Sequence, residues 1–274
     1  MNLKELRLRI NLTQKQLAEQ METTQQTVAR WETGKTTLNV DQIRDLCMVL
    51  QCTAEELLGW ETDANDVRIS PFSVVSSELP YGTLQIKTAG SDREYPVSEE
   101  ARKSLLTQID AFGPLNDGSA SAWLFAWTLN NKLLLINPAH LMKFRLISDD
   151  VEAMPSFENA EVYRALEDWP NITVTGKIRR VCDALAARLG SKEEVYRLVS
   201  EVCITYADGS PEWSNLSEET ATAWHGAMMG VESLGQSSFT QIQEEGYYDA
   251  TFANLGFVAL VEIPANLYFR LTTD

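Results

Sequence analysis

The sequence predicts a chain of two parts: an all-α head of five short helices in residues 1–60, then an α+β domain built from two tandem β-α-β-β-β repeats in residues 67–274. Three observations carry this. Apolar residues in the first sixty positions recur at helical spacing and are broken by capping residues. The rest of the chain contains alternating, strand-like runs bounded by turn residues. Two of its segments echo each other in order and in spacing.

In the head, Leu3, Leu6 and Ile10 share one helical face, and Asn11-Leu12-Thr13 interrupts it before Leu17, Ala18 and Met21 resume the period. Thr13 with Gln16 three residues on fits a capping box, where each side chain satisfies a backbone donor of the other. A second helix therefore starts at this point. Glu22-Thr23-Thr24 breaks the pattern again, and Thr24 caps a third helix from Gln25 to about Glu32 whose Val28 and Trp31 point to the core. An inward aromatic is core rather than a base-stacking residue, so Trp31 is left out of the site. Gly34, which tolerates positive φ, ends that helix. Asn39 with Gln42 and Thr53 with Glu56 mark two further capped starts, so five helices fill residues 2–59.

The segment LTQKQLAEQMETTQQTVARWETGK, Leu12 to Lys35, resembles the helix-turn-helix of the lambdoid phage repressor and Cro group, the XRE family. Thr13-Gln14, Leu17-Ala18, Thr24-Gln25-Gln26 and Glu32-x-Gly34-Lys35 carry the likeness, which covers about Leu3 to Gly59. The family usually places glycine at the turn between the two helices. Here that position is Glu22, which predicts a slightly strained or differently closed turn. The resemblance implies that the third helix enters the major groove of double-stranded DNA and that Gln25, Gln26, Thr27 and Arg30 reach base edges behind the Thr24 cap. A glutamine amide matches adenine N6/N7 and an arginine fork matches guanine O6/N7, so the expected half-site has an adenine under Gln25 or Gln26 and a guanine under Arg30. Gln14 and the amides opening the second helix are expected to hold a phosphate, with charge contacts from Lys15 and Lys35.

Glu61 to Asp66 has no apolar anchor and three acids, and reads as a linker. Beyond it, Leu84 to Ala101 parallels Val202 to Thr220: a strand, a Gly/Asp turn, an aromatic, then Ser-Glu-Glu opening a helix capped by Ser98 or Ser217. Leu133 to Asp149 likewise parallels Ala259 to Asp274, through Pro-Ala and Phe-Arg-Leu. Each unit, about 81–150 and 200–274, is expected to be a strand, a helix and a three-stranded meander. Asn130-Asn131 suits a tight hairpin in the first. Arg145 and Arg270 are expected on strands, bridging the two halves or forming an anion site. Glu158–Asp168 and Gly176–Leu189 have helical spacing, and this connection, residues 151–199, is expected to clasp the β units. Trp123, Trp127, Trp213 and Trp224 read as aromatic core before they read as a ligand pocket.

Composition and charge narrow the function. Of 274 residues, 44% are apolar and 23% charged, the balance of a folded globular chain, and the apolar runs are too short to span a bilayer. The amino terminus lacks the apolar stretch of a signal peptide, so a cytoplasmic location without membrane attachment is expected. Cys47, Cys52, Cys182 and Cys203 are scattered and are expected as reduced, buried thiols. No metal or other cofactor is indicated. The formal charge is −16, and residues 1–60 hold seven basic against eight acidic side chains, so nearly all of the excess lies in residues 61–274. That body repels phosphate, which leaves nucleic acid only a locally basic face of the head.

No enzyme signature emerges. His140 and His225 lie far apart in sequence, and Glu99, Glu100, Glu218 and Glu219 occupy first helical turns, where the macrodipole favours them. Asp150 to Pro155 loosely echoes the self-cleaving segment of phage repressors but has no serine before Met154. The expected function is a sequence-specific transcriptional repressor, dimeric on a near-palindromic operator, whose acidic domain dimerises and senses a small-molecule or protein effector. The alternative is an antitoxin-type autoregulator whose acidic domain binds a protein partner.

Overall fold

In a computed structural model, residues 2–52, 54–59, 80–111, 123–148, 154–229, 239–244 and 250–272 are described. The chain divides into two compact units: Met1–Ser77 with Asn159–Val195, and Glu78–Glu158 with Tyr196–Asp274.

The first unit begins with the five helices: α1 (Leu3–Arg9), α2 (Gln14–Gln20), α3 (Gln25–Glu32), α4 (Val40–Leu50) and α5 (Ala54–Leu58). Capping boxes close the starts of α2, through Thr13 and Gln16, and of α4, through Asn39 and Gln42. Thr24 caps α3 by accepting from the Thr27 amide. Thr53, the expected cap of α5, and the linker 61–66 lie outside the described residues. Leu3, Leu6, Leu17, Ala18, Val28, Trp31, Leu46, Leu50 and Leu57 form a single core with Cys47 and Cys52, which is how five helices too short to persist alone hold together.

The connection departs from expectation. Helices α6 (Glu99–Ala111), α7 (Ala160–Leu166) and α8 (Gly176–Leu189) follow in chain order, and α7 and α8 belong with the head instead of clasping the β units. Asn159 caps α7, whose Val162, Tyr163 and Leu166 bury against Ile178, Cys182 and Leu185 of α8. The apolar stripe on α8 was legible; which partner it covers depends on contacts distant in sequence. A further helix, α9 (Lys192–Ser200), was not expected.

The second unit holds β1 (Pro80–Thr88), β2 (Asp92–Ser98), α6, β3 (Leu124–Thr128), β4 (Lys132–Ile136) and β5 (Leu141–Ser148). It continues with β6 (Glu201–Tyr206), β7 (Pro211–Asn215), α10 (Glu218–Met229), β8 (Phe239–Glu244), β9 (Ala250–Asn254), β10 (Val258–Pro264) and α11 (Ala265–Thr272). Among the described residues these strands form antiparallel sheets of order β2-β1-β5, β3-β4-β10-β6-β7 and β8-β9. Leu84, Ile86, Tyr95 and Val97 of the three-stranded sheet pack in one core with Leu124, Ala126, Leu134, Ile136 and Leu260 of the five-stranded sheet. The opposite face of the five-stranded sheet, with Leu133, Leu135, Val202, Ile204, Val261 and Ile263, buries Trp224 and Tyr268 of α10 and α11.

The element order corrects the expected β-α-β-β-β unit. A hairpin, not a single strand, precedes each helix: β1-β2 before α6 and β6-β7 before α10. Ser98 and Ser217 do cap those helices, accepting from the Ala101 and Thr220 amides. The one-turn 3₁₀ helices Pro138–His140 and Leu255–Phe257 precede β5 and β10, and are capped alike by Asn137 and Asn254. The two Pro-Ala pairs are therefore not in equivalent places, because Pro138 opens a 3₁₀ turn whereas Ala265 opens α11. Arg145 stands on β5 and donates to Gln85, but Arg270 is on helix α11. Of the two arginines expected on strands, only Arg145 lies on one. Trp127 and Trp224 join the core, while Trp213 is 37% exposed beneath the Arg197 guanidinium.

Candidate nucleic-acid interface

Helix α3 is amphipathic by residue choice. Val28 and Trp31 are buried, whereas Gln25, Gln26 and Arg30 are exposed and Thr27 is half-buried. The Thr24 hydroxyl both caps the helix and lies 2.9 Å from that of Thr27, which fixes the first turn. Exposed Lys15 is on α2 and exposed Lys35 follows α3.

Helices α2 and α3 meet through Glu22, whose φ is +52°. A non-glycine residue at this turn predicts strain, and the backbone does take the left-handed conformation that costs an L-residue about 1 kcal/mol or more. Gly34, with φ +68°, follows the end of α3 as expected.

One arrangement was not read from the sequence. Arg7 of α1 donates from Nε to Glu32 Oε1 at 2.6 Å and from Nη1 to the Leu12 carbonyl, and both ion-pair side chains are at least nine-tenths buried. Glu32 Oε2 accepts from Gln14 Nε2 at 2.7 Å. A single carboxylate at the end of α3 thus ties down α1 and the first residue of α2. Gln14, expected at a phosphate, spends one amide hydrogen on this network. Glu32 carried part of the family likeness, yet nothing in the spacing points to Arg7, 25 residues earlier.

The second feature that sequence reasoning missed is the seat of α8 on the head. Thr175 Oγ1 donates to Asp41 Oδ2 at 2.7 Å, and the Lys177 and Ile178 amides donate to the Asp45 carboxylate at 3.3 and 3.2 Å. Arg180 closes on Glu22 at 2.6 Å, which joins α8 to the turn ahead of α3. Asp41 and Asp45, one turn apart on α4, were the available signal.

The Helix-turn-helix family model matches residues 3–57. These residues are a helix-turn-helix domain. It is of the XRE type, which supports DNA binding by this part of the chain. No curated protein and no solved structure matches the chain. In this domain the second helix of the motif is α3, so the residues expected at base edges stand on its exposed side. Among the described residues, no helix is long and apolar enough to cross a membrane.

Proposed function

We propose that this chain is a sequence-specific transcriptional repressor that binds a near-palindromic operator as a dimer, reading bases with Gln25, Gln26 and Arg30. The observation that carries the reading is the polarity of α3: a capped first turn presents two glutamines and an arginine to solvent while Val28 and Trp31 anchor the opposite side. Thr27 completes the base-facing side. Phosphate contacts fall to Lys15, Lys35 and the remaining amide hydrogen of Gln14. A single head reads only a few base pairs, so specificity calls for two heads about one helical turn apart, and the acidic second unit supplies dimerisation and sensing. We read its two halves, each a hairpin, a helix and three further strands, as copies of one unit, and we assign the protein no enzymatic step.

The test is binding of the full-length protein to its own upstream DNA at one fixed salt concentration, beside Gln25→Ala and Arg30→Ala. Each substitution is expected to cost about 1–3 kcal/mol and to relax choice at one base position. Loss of affinity that is uniform over all sequences, or none, would overturn base reading by α3. Failure of the wild type to retain DNA would move the search to a protein partner of the acidic domain.

A further inference from the structure

Helix α8 concentrates positive charge within the acidic stretch of the chain. Its fourteen residues hold Lys177, Arg179, Arg180 and Arg188 against one acid, Asp183, a net charge of +3. Residues 61–274 as a whole carry nearly all of the −16. This basic helix belongs to the compact unit of the head and not to the acidic second unit.

The charges are sorted by helical position. Ile178, Cys182 and Leu185 form the buried side. Lys177, Arg180, Ala184 and Arg188 recur three, four and four residues apart, which puts them on one stripe about 16 Å long, turned away from that buried side. Arg180, Ala184 and Arg188 are exposed and Lys177 is half-buried. Ala184 and Ala187, both exposed, keep the middle of the helix low, so that a broad surface can meet the cations at both ends. Arg179 lies off the stripe and is used within the protein: its Nε donates to Asp183 at 3.0 Å and its Nη1 to the Ile172 carbonyl at 2.9 Å.

The stripe starts beside the helix-turn-helix. Arg180 closes on Glu22, two residues ahead of the Thr24 cap of α3, and Thr175, just before α8, donates to Asp41 in the first turn of α4. Helix α8 is thus pinned to the segments that precede and follow α3. The Arg180 and Glu22 side chains are 57% and 64% exposed, and a pair so open to water contributes little, so a phosphate can take the place of Glu22. A row of cations next to a base-reading helix is the complement of the duplex backbone, which carries one negative charge per about 1.7 Å of its axis.

We propose that α8 is a second DNA-binding element, in which Lys177, Arg180 and Arg188 bind phosphates flanking the groove that α3 enters. The proposal rests on the docking of α3 in the major groove and adds contacts that position the head without reading sequence.

The test is the salt dependence of binding by the full-length protein to two duplexes of equal length, its own upstream DNA and a mixed sequence. Wild type is compared with Arg180→Gln, with the triple variant Lys177→Gln, Arg180→Gln, Arg188→Gln, and with Arg179→Gln, which removes the same charge off the stripe. The slope of log affinity against log salt is expected to fall by about one in Arg180→Gln and about three in the triple variant, alike on both duplexes and with the preference between them unchanged. Arg179→Gln should keep the wild-type slope. A wild-type slope in the triple variant, or an equal fall in Arg179→Gln, would overturn the proposal while leaving α3 untouched. A triple variant that loses its preference for the upstream DNA would overturn a backbone role. Wild type that retains neither duplex would strike the reading of α3 and this proposal together, whereas Gln25→Ala with unchanged preference would strike base reading alone.

Discussion

Asp45 caps α8, which begins at Gly176: its Oδ1 accepts from the Ile178 amide, 133 residues away in sequence, at 3.2 Å and its Oδ2 from the Lys177 amide at 3.3 Å. Gly176 sits beside it with φ +70°, and a Cβ there would lie 2.5 Å from Asp45 Oδ2. A carboxylate at a helix start satisfies orphan amides and meets the positive end of the dipole. Asp45→Ala is expected to cost about 1–2 kcal/mol. Hydrogen exchange should show the loss at the first turn of α8, with α3 unchanged; equal protection of the Lys177 and Ile178 amides in the variant would refute the cap.

The Arg7 and Glu32 pair is expected to dominate head stability. Both side chains are buried, so removing one partner strands the other charge. Glu32→Ala should cost about 3–5 kcal/mol, and Arg7→Met a similar amount, measured by urea unfolding of the head signal. A double substitution of both by apolar residues should recover most of the loss, because no buried charge then remains. Additive losses in the double variant would mean that the pair is not the unit of stability.

How far the sequence disclosed this architecture depends on the range of the interactions involved. Thr13 with Gln16, Asn39 with Gln42, and Thr24 with Thr27 are three residues apart, and their hydrogen bonds follow from local chemistry alone. The exposed side of α3 was legible for the same reason, since Val28 and Trp31 fix its inward face. Arg7 with Glu32 and Asp45 with Ile178 join distant segments, and no local pattern encodes which acid meets which donor. The repeated segments were read correctly at Ser98 and Ser217, where a cap enforces the likeness. They misled at Phe144-Arg145-Leu146 and Phe269-Arg270-Leu271, because alternating apolar residues suit the strand β5 and the helix α11 equally well over so short a run.

Glu22 gives a prediction of opposite sign. A residue with φ +52° and a Cβ is strained, and glycine relieves that strain. Glu22→Gly should stabilise the helix-turn-helix domain by up to about 1 kcal/mol. It also removes the exposed bridge to Arg180, which contributes little in solvent. Glu22→Asn, which tolerates the left-handed region and lacks the charge, should fall between the two. Thermal unfolding of the three proteins checks the order; a destabilised glycine variant would show that the bridge outweighs the turn.

The hairpin turns of the second unit make a tighter demand. A Cβ on Gly90 would lie 2.2 Å from the Asp208 carbonyl carbon and the Gly209 nitrogen, and one on Gly209 would lie 2.1 Å from the Gly90 oxygen. The obstacles are backbone, so neither turn can yield by rotating a side chain. Gly90→Ala is expected to cost about 3 kcal/mol, and Gly209→Ala more, since Gly209 also has φ +88°. Denaturation followed through Trp127 and Trp224 should register the loss. An unchanged midpoint in Gly90→Ala would mean that the two turns do not touch.

Cys203 ties the interior of the second unit to pH. Burial, then the nearby Glu262 carboxylate, push its thiol up from 9.0 to about 11, against smaller opposing effects of Thr205, Arg93 and Lys132. A thiol whose folded value is raised adds stability that is complete below pH 9 and is lost as pH climbs through about 11. Tyr95 acts in the same direction and Lys132, which burial lowers, in the opposite one, so the wild type alone does not isolate the thiol. The difference between wild type and Cys203→Ala does. Urea midpoints compared from neutrality to about pH 11 should converge in the upper part of that range as the wild type loses its advantage. A difference between the two that stays constant across the range would show that the Cys203 thiol ionises as readily in the folded chain as in the unfolded one.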